Sequence, residues 1–172
     1  MKTIYATFKN LESTDRVLTK LAALNYDPKE VSVIVREDIN VKTKTEAGKG
    51  AVSGAVVGGI AGGVAGLLLG IGAITIAGLS PLLIAGPLAA ALGITALGAA
   101  TVEGVATGIV GGGLVGALVG LGIPKETAQM YEASIREGEV LLGVPVKEGI
   151  DETIITKIFE DEKAENIYTL GE

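Results

Sequence analysis

The spacing of hydrophobic positions changes several times along the chain, and each change marks an element. Over "KTIYATF", residues 2–8, polar and apolar positions alternate, so Ile4, Ala6 and Phe8 face one side and Tyr5 and Thr7 the other. Period two is the pattern of a strand. Between Leu11 and Leu24 the spacing lengthens, and Val17, Leu18, Leu21 and Leu24 share one face of an amphipathic helix. "VSVIVRE", 31–37, is short and β-branched and predicts a second strand. In the last third, Pro124 suits a first helical turn, and Ala128, Tyr131 and Ile135 share a helical face. Gly138 can close that helix in the left-handed conformation. "EVLLGVPV", 139–146, reads as a strand, and Asp151 can cap a helix through Ile154, Ile155, Ile158 and Phe159. "NIYTL", 166–170, reads as the last strand.

Between these flanks the pattern disappears. From Gly50 to Pro124, 75 positions hold one charged residue, Glu103. Taken together without this block, the flanks read β-α-β and then (α)-β-α-β. Two such units form a split β-α-β, ferredoxin-like α+β domain of four antiparallel strands with two helices on one face. Residues 1–49 and 125–172 are then halves of one domain, and 50–124 is an insertion. Neither half has enough core to stand alone, so the halves must meet.

Within the block, glycine recurs at every fourth position twice: Gly54, Gly58, Gly62, Gly66, Gly70, and then Gly104, Gly108, Gly112, Gly116, Gly120. An interior glycine costs a helix about 1 kcal/mol relative to alanine. Residues four apart share a helical face, and small-xxx-small faces offset that cost by letting two backbones approach closely. The two runs are mirrored about Pro87, so an antiparallel glycine-zipper hairpin turning near Pro81 and Pro87 would pair Gly54 with Gly120 and Gly70 with Gly104. The other arm and a second subunit are both open as the partner of each groove.

Stretches 51–72, 81–102 and 104–123 each approach the ~20 residues that cross a bilayer. The flanks must stay on one side, so the number of crossings must be even or zero. A straight arm from 51 to 84 would run ~50 Å, too long for a ~30 Å hydrocarbon core. In a membrane, Lys42, Lys44, Lys49 and Lys125 would place both flanks in the cytoplasm. All six aromatic residues lie in the flanks, so the block lacks an interfacial aromatic belt. A lipid-free homo-oligomer with the hairpins as its buried core is therefore the competing form. An exposed monomer is excluded by the size of the apolar surface.

Composition narrows the chemistry. A net charge of −6 offers no basic stripe for nucleic acid. There is no cysteine and no histidine, which removes disulfides, thiolate chemistry and the commonest general base. "MKTIYATFKNLES" lacks the apolar run of a signal peptide. The acidic "FEDEKAE", 159–165, lacks metal-loop spacing and reads as a solvated helix end. "KTEAGKG", 44–50, and "GVPVKEG", 143–149, do not match a phosphate-cradling loop. The residues thus point to no enzyme, cofactor, metal or small-molecule substrate. Glu103 is a candidate intramembrane ion site, with a solvated helix end as its alternative.

Three stretches carry a resemblance: the N-terminal strand-helix-strand, the Gly/Ala-rich centre with "AGPLAAALG" at 85–93, and "GLGIPKETAQMYEASIREGEVLL" at 120–142. In the last, Gly122, Ile123, Pro124, Ala128, Tyr131 and Gly138 carry the most specific match. The chain resembles the bacterial general-stress-protein 17M-like family, whose relatives are often labelled heat- or low-temperature-induced proteins or uncharacterised membrane proteins. The resemblance implies a stress-associated, non-enzymatic protein and supplies no catalytic residue; Glu103 matches no family role. The expectation is a structural protein that self-assembles through its hairpin and associates with the cell membrane, its domain in the cytoplasm. A lipid-free cytoplasmic particle or shell and an oligomeric pore are the alternatives.

Overall fold

The computed structural model describes residues 2–38, 63–64, 79, 81–91 and 106–171, with backbone alone at 28 and 106–112. Within these the fold is mixed α/β, with five strands in one antiparallel sheet and five helices. In chain order these are β1 (Thr3–Phe8), α1 (Leu11–Ala23), β2 (Ser32–Arg36), β3 (Leu82–Ala85), α2 (Pro87–Ala91), α3 (Ala106–Gly120), α4 (Lys125–Glu137), β4 (Val140–Pro145), α5 (Glu152–Asp161) and β5 (Glu165–Leu170). A short 3₁₀ turn, Pro28–Glu30, leads into β2.

The strands lie in the order β3-β2-β4-β1-β5. β4 is central: it pairs with β1 from Thr3↔Pro145 to Phe8↔Val140, and with β2 from Ser32↔Gly143 to Ile34↔Leu141. Those ladders join the two flanks into one body. The register of β1 and β5 slips between Tyr5 and Thr7. Asn166 sits there at φ +52°, its side-chain amide donating to Thr7 Oγ1 at 3.3 Å and to Ser134 Oγ at 3.2 Å. A bulge tied to a helix in this way fixes the register of an edge strand.

Local signals act as their chemistry dictates. Asn10 Oδ1 accepts from Ser13 N–H at 2.9 Å to cap α1, and Asp151 Oδ1 accepts from Thr153 N–H at 2.9 Å to cap α5. Gly138 ends α4 at φ +100°, which spares a side chain the left-handed penalty.

Both faces of the sheet are buried. One packs Ile4, Phe8, Val33, Val35, Leu142 and Val144 against α1 and α5, with the Phe8 and Phe159 rings edge to face at 5.4 Å. The other packs Tyr5, Ile34, Leu82, Ile84 and Leu141 against α2, α3 and α4. Two expectations are corrected here. The sheet has a fifth strand, drawn from the block, and helices cover both of its faces rather than one. The runs "SVIVR", "LLIA" and "VLLGV" are continuous rather than alternating, which is how strands buried on both faces read.

The end of α5 also differs from expectation. Glu162 is buried rather than solvated, with its carboxylate against Arg16 Nε at 2.6 Å and Lys20 Nζ at 2.8 Å. These bonds tie α5 to α1. Lys20, then Arg16, hold the Glu162 carboxyl below the usual range. Stability from a depressed carboxylate is fully present above its unfolded pKa and is lost as pH falls towards the folded value. Urea midpoints measured from about pH 7 down to pH 3 should therefore drop below about pH 4.5. Glu162→Gln should lower the neutral midpoint and flatten that acid limb. An acid limb identical to that of the native chain would show that the contact contributes no pH-dependent stability.

Candidate functional site

The sequence makes the apolar block the functional element, so the site is where that block meets the sheet. Two described attachment points share one device. At the first, Gly63 has φ +54° and Val64 is fully buried in the core on the α1 side. Asp15, on α1, accepts from Val64 N–H at 2.8 Å. A Cβ at position 63 would stand 2.2 Å from Asp15 Oδ1, so the contact requires glycine there.

At the second, Gly113 breaks α3 with φ +63° and ψ −157°, a conformation open to glycine alone. The chain then turns helical again and buries Leu114, Ala117 and Leu118 on the opposite face. Glu132, on α4, accepts from Val115 N–H at 3.3 Å, and Arg136 Nη2 steadies the same carboxylate at 2.8 Å. A restarted helix presents unpaired N–H groups and the positive end of its dipole, and a carboxylate answers both. Full burial of Leu114, Leu118 and the following Ile123 contributes about 1.5–3 kcal/mol each.

Two more contacts hold the middle of the block. β3 pairs with β2 from Val33↔Ala85 to Arg36↔Leu82, and Glu37 N–H donates to Pro81 O at 2.8 Å. Gly86 then turns at φ +79°, so close to β2 that a Cβ would lie 2.1 Å from Val31 O. Pro87 opens α2, whose Leu88 N–H donates to Ser32 Oγ at 3.0 Å.

Among the described residues, Pro81 and Pro87 flank a strand, β3, paired with β2 at the place expected to be the turn of the hairpin. Gly108 and Gly112 precede the break in α3, whereas Gly116 and Gly120 follow it, so the second run does not line one continuous helical face. Val64 and Leu114 sit on opposite faces of the sheet, whereas a hairpin mirrored about Pro87 would bring their neighbourhoods together. Gly120 is exposed, and a Cβ there would meet nothing within 4 Å. Gly54, Gly58, Gly62, Gly66, Gly70, Gly104 and Glu103 lie outside the described residues.

Among the described residues no helix is long and apolar enough to cross a membrane. No family model, curated protein or solved structure matches the chain.

Sequence reading missed Asp15 and Glu132 because each is an ordinary polar position on an amphipathic helix. The available signal was in the block itself: "GGV" at 62–64 and "GGGLV" at 111–115 interrupt the four-residue spacing with adjacent glycines, a sign of a bend. Replacing a capping carboxylate by alanine costs about 0.5–2 kcal/mol. Asp15→Ala should accordingly speed amide exchange at Val64, and Glu132→Ala at Val115, by roughly 2- to 30-fold. Glu160→Ala, on the exposed side of α5, serves as control, and rates equal to the control would show that the two carboxylates do not hold the block.

Proposed function

We propose that this is a non-enzymatic structural protein that assembles with copies of itself, its sheet domain carrying the Gly/Ala-rich block as the assembling element. In this reading the flank strands form the ferredoxin-like core. What supports that core is the strand order β2-β4-β1-β5, with α1 and α5 together on one face. β3 is then an addition at the β2 edge. The stress association rests on the family resemblance alone.

The observation that carries the function is the spacing of the block's anchors. Residues 38, 63–64, 79, 81–91 and 113–124 belong to one body, which bounds the lengths of chain between successive anchors. Those stretches run from 39 to 62, 65 to 78 and 92 to 112, which are 24, 14 and 21 residues. Crossing a bilayer and coming back takes about 40 residues. A membrane-spanning hairpin would need this docking undone at a cost of several buried aliphatic side chains. The lipid-free form, a large cytoplasmic assembly, is therefore favoured over the membrane-anchored form and over a pore lined by Glu103.

Light scattering on the detergent-free chain, together with flotation on phosphatidylglycerol vesicles, tests this. The expected result is a particle of many subunits that stays at the bottom of the gradient, and a smaller mass for Gly62→Leu and Gly112→Leu. Carbonate-resistant flotation would overturn the lipid-free form in favour of a membrane hairpin. A monomer under both conditions would overturn self-assembly.

A further inference from the structure

Ser32, Gly143 and Tyr5 stand in one row across β2, β4 and β1. Glycine at the centre of this row has a specific consequence. A Cβ at 143 would lie 2.5 Å from Tyr5 Cε1, so the Tyr5 ring occupies the space a side chain would fill. Above the row is a half-open pocket of about 130 Å³, lined by the hydroxyl-bearing Thr3, Tyr5 and Ser32 of the sheet, by Glu30, and otherwise by apolar residues of α2, Leu121 and Pro145.

Two of the three hydroxyl-bearing residues there, Tyr5 and Ser32, are buried. Buried tyrosine hydroxyls usually have a partner. Tyr26 donates to Pro145 O at 2.8 Å, and Tyr131 donates to Asn166 O at 2.9 Å. Tyr5 is 6% exposed and its hydroxyl makes no hydrogen bond among the described residues. Ser32 is 4% exposed; its Oγ accepts from Leu88 N–H, which leaves its own proton to donate. Burial also raises the Tyr5 phenol above its usual range, so it remains a donor.

The remaining lining defines what such donors would hold. Pro87, Leu88, Ala91, Leu121 and Pro145 are apolar, and the half-buried Thr3 adds a third hydroxyl. The Glu30 carboxylate already accepts from Lys147 Nζ at 2.6 Å and from Asp27 N–H at 2.7 Å. It adds no free cation to attract an anion. A cavity of about 150 Å³ lined by aliphatic groups takes benzene, which sets the scale at about six heavy atoms.

We propose that this cavity is a binding site for a small uncharged molecule of about six heavy atoms bearing a carbonyl oxygen, which the Tyr5 and Ser32 hydroxyls hold together. The site uses neither Asp15 nor Glu132; Ser32 and Leu88 also hold the block, and the test below reads ligand binding rather than particle mass, so it stands or falls separately from self-assembly.

The test is ligand-observed saturation-transfer NMR on the full chain, a method that tolerates large particles. Cyclopentanone is the probe, and methylenecyclopentane is the match in shape that lacks the acceptor. Cyclopentanone should show saturable transfer with a roughly millimolar dissociation constant, as six heavy atoms permit. Tyr5→Phe, which removes a hydroxyl that bonds to nothing, should weaken it about 2- to 10-fold. It should leave methylenecyclopentane unchanged. Ala91→Leu, which narrows the cavity from an exposed helix position, should abolish transfer to both. No saturable transfer from the native chain would overturn the proposal. So would equal binding of the two probes with no loss in Tyr5→Phe, which would make the cavity merely apolar.

Discussion

The antiparallel pairing of β1 with β4 is the constraint from which the other features follow. Its six rungs join the first strand of the chain to one that begins 132 residues after β1 ends, at Val140. Because closure entropy grows only logarithmically with loop length, a long excursion between them is tolerable. Its geometry is the stricter demand: whatever the intervening chain does, it must start and finish on this sheet. With β2 on the other side of β4, the central strand is enclosed by both flanks, and each face of it needs a cover.

That need explains why the block is drawn in. α1 and α5 cover one face, and α4 alone cannot cover the other, where Ile34, Leu82, Ile84 and Leu141 stand. The segment from Leu114 to Ile123 completes that layer. β3 extends the sheet beyond β2, and all four of its residues are buried, whereas no residue of β5 at the opposite edge is fully buried. The apolar segments thus solve a burial problem within the domain before any contact with another molecule.

Among the described residues glycine serves two different purposes. At Gly63, Gly86 and Gly113 it supplies a positive φ, and at Gly63 and Gly86 it also admits an oxygen where a Cβ would be. At Gly143 it makes room across a strand for the ring of Tyr5. In neither role is a helix brought against a helix. A four-residue period reports that small residues share a helical face, but only if the helix is continuous. In the second run, one residue at φ +63° ends that continuity.

The flank elements were legible because their causes are local. The alternation in β1, the helical faces of α1, α4 and α5, the Asp151 cap and the Gly138 terminus each depend on neighbours within a turn or a few rungs. The strand at Leu82–Ala85 was not legible, since four apolar residues inside an apolar block have no period to contrast with. Nor were the partners of Val64 and Val115, because a backbone N–H carries no side-chain signal and Asp15 and Glu132 look like any solvated position on a helix. The sequence by itself determined that two polar halves must close around an apolar interval. Which parts of that interval lie against the sheet, and on which face, was decided only in three dimensions, because burial of a strand's second face depends on what the rest of the chain can bring to it.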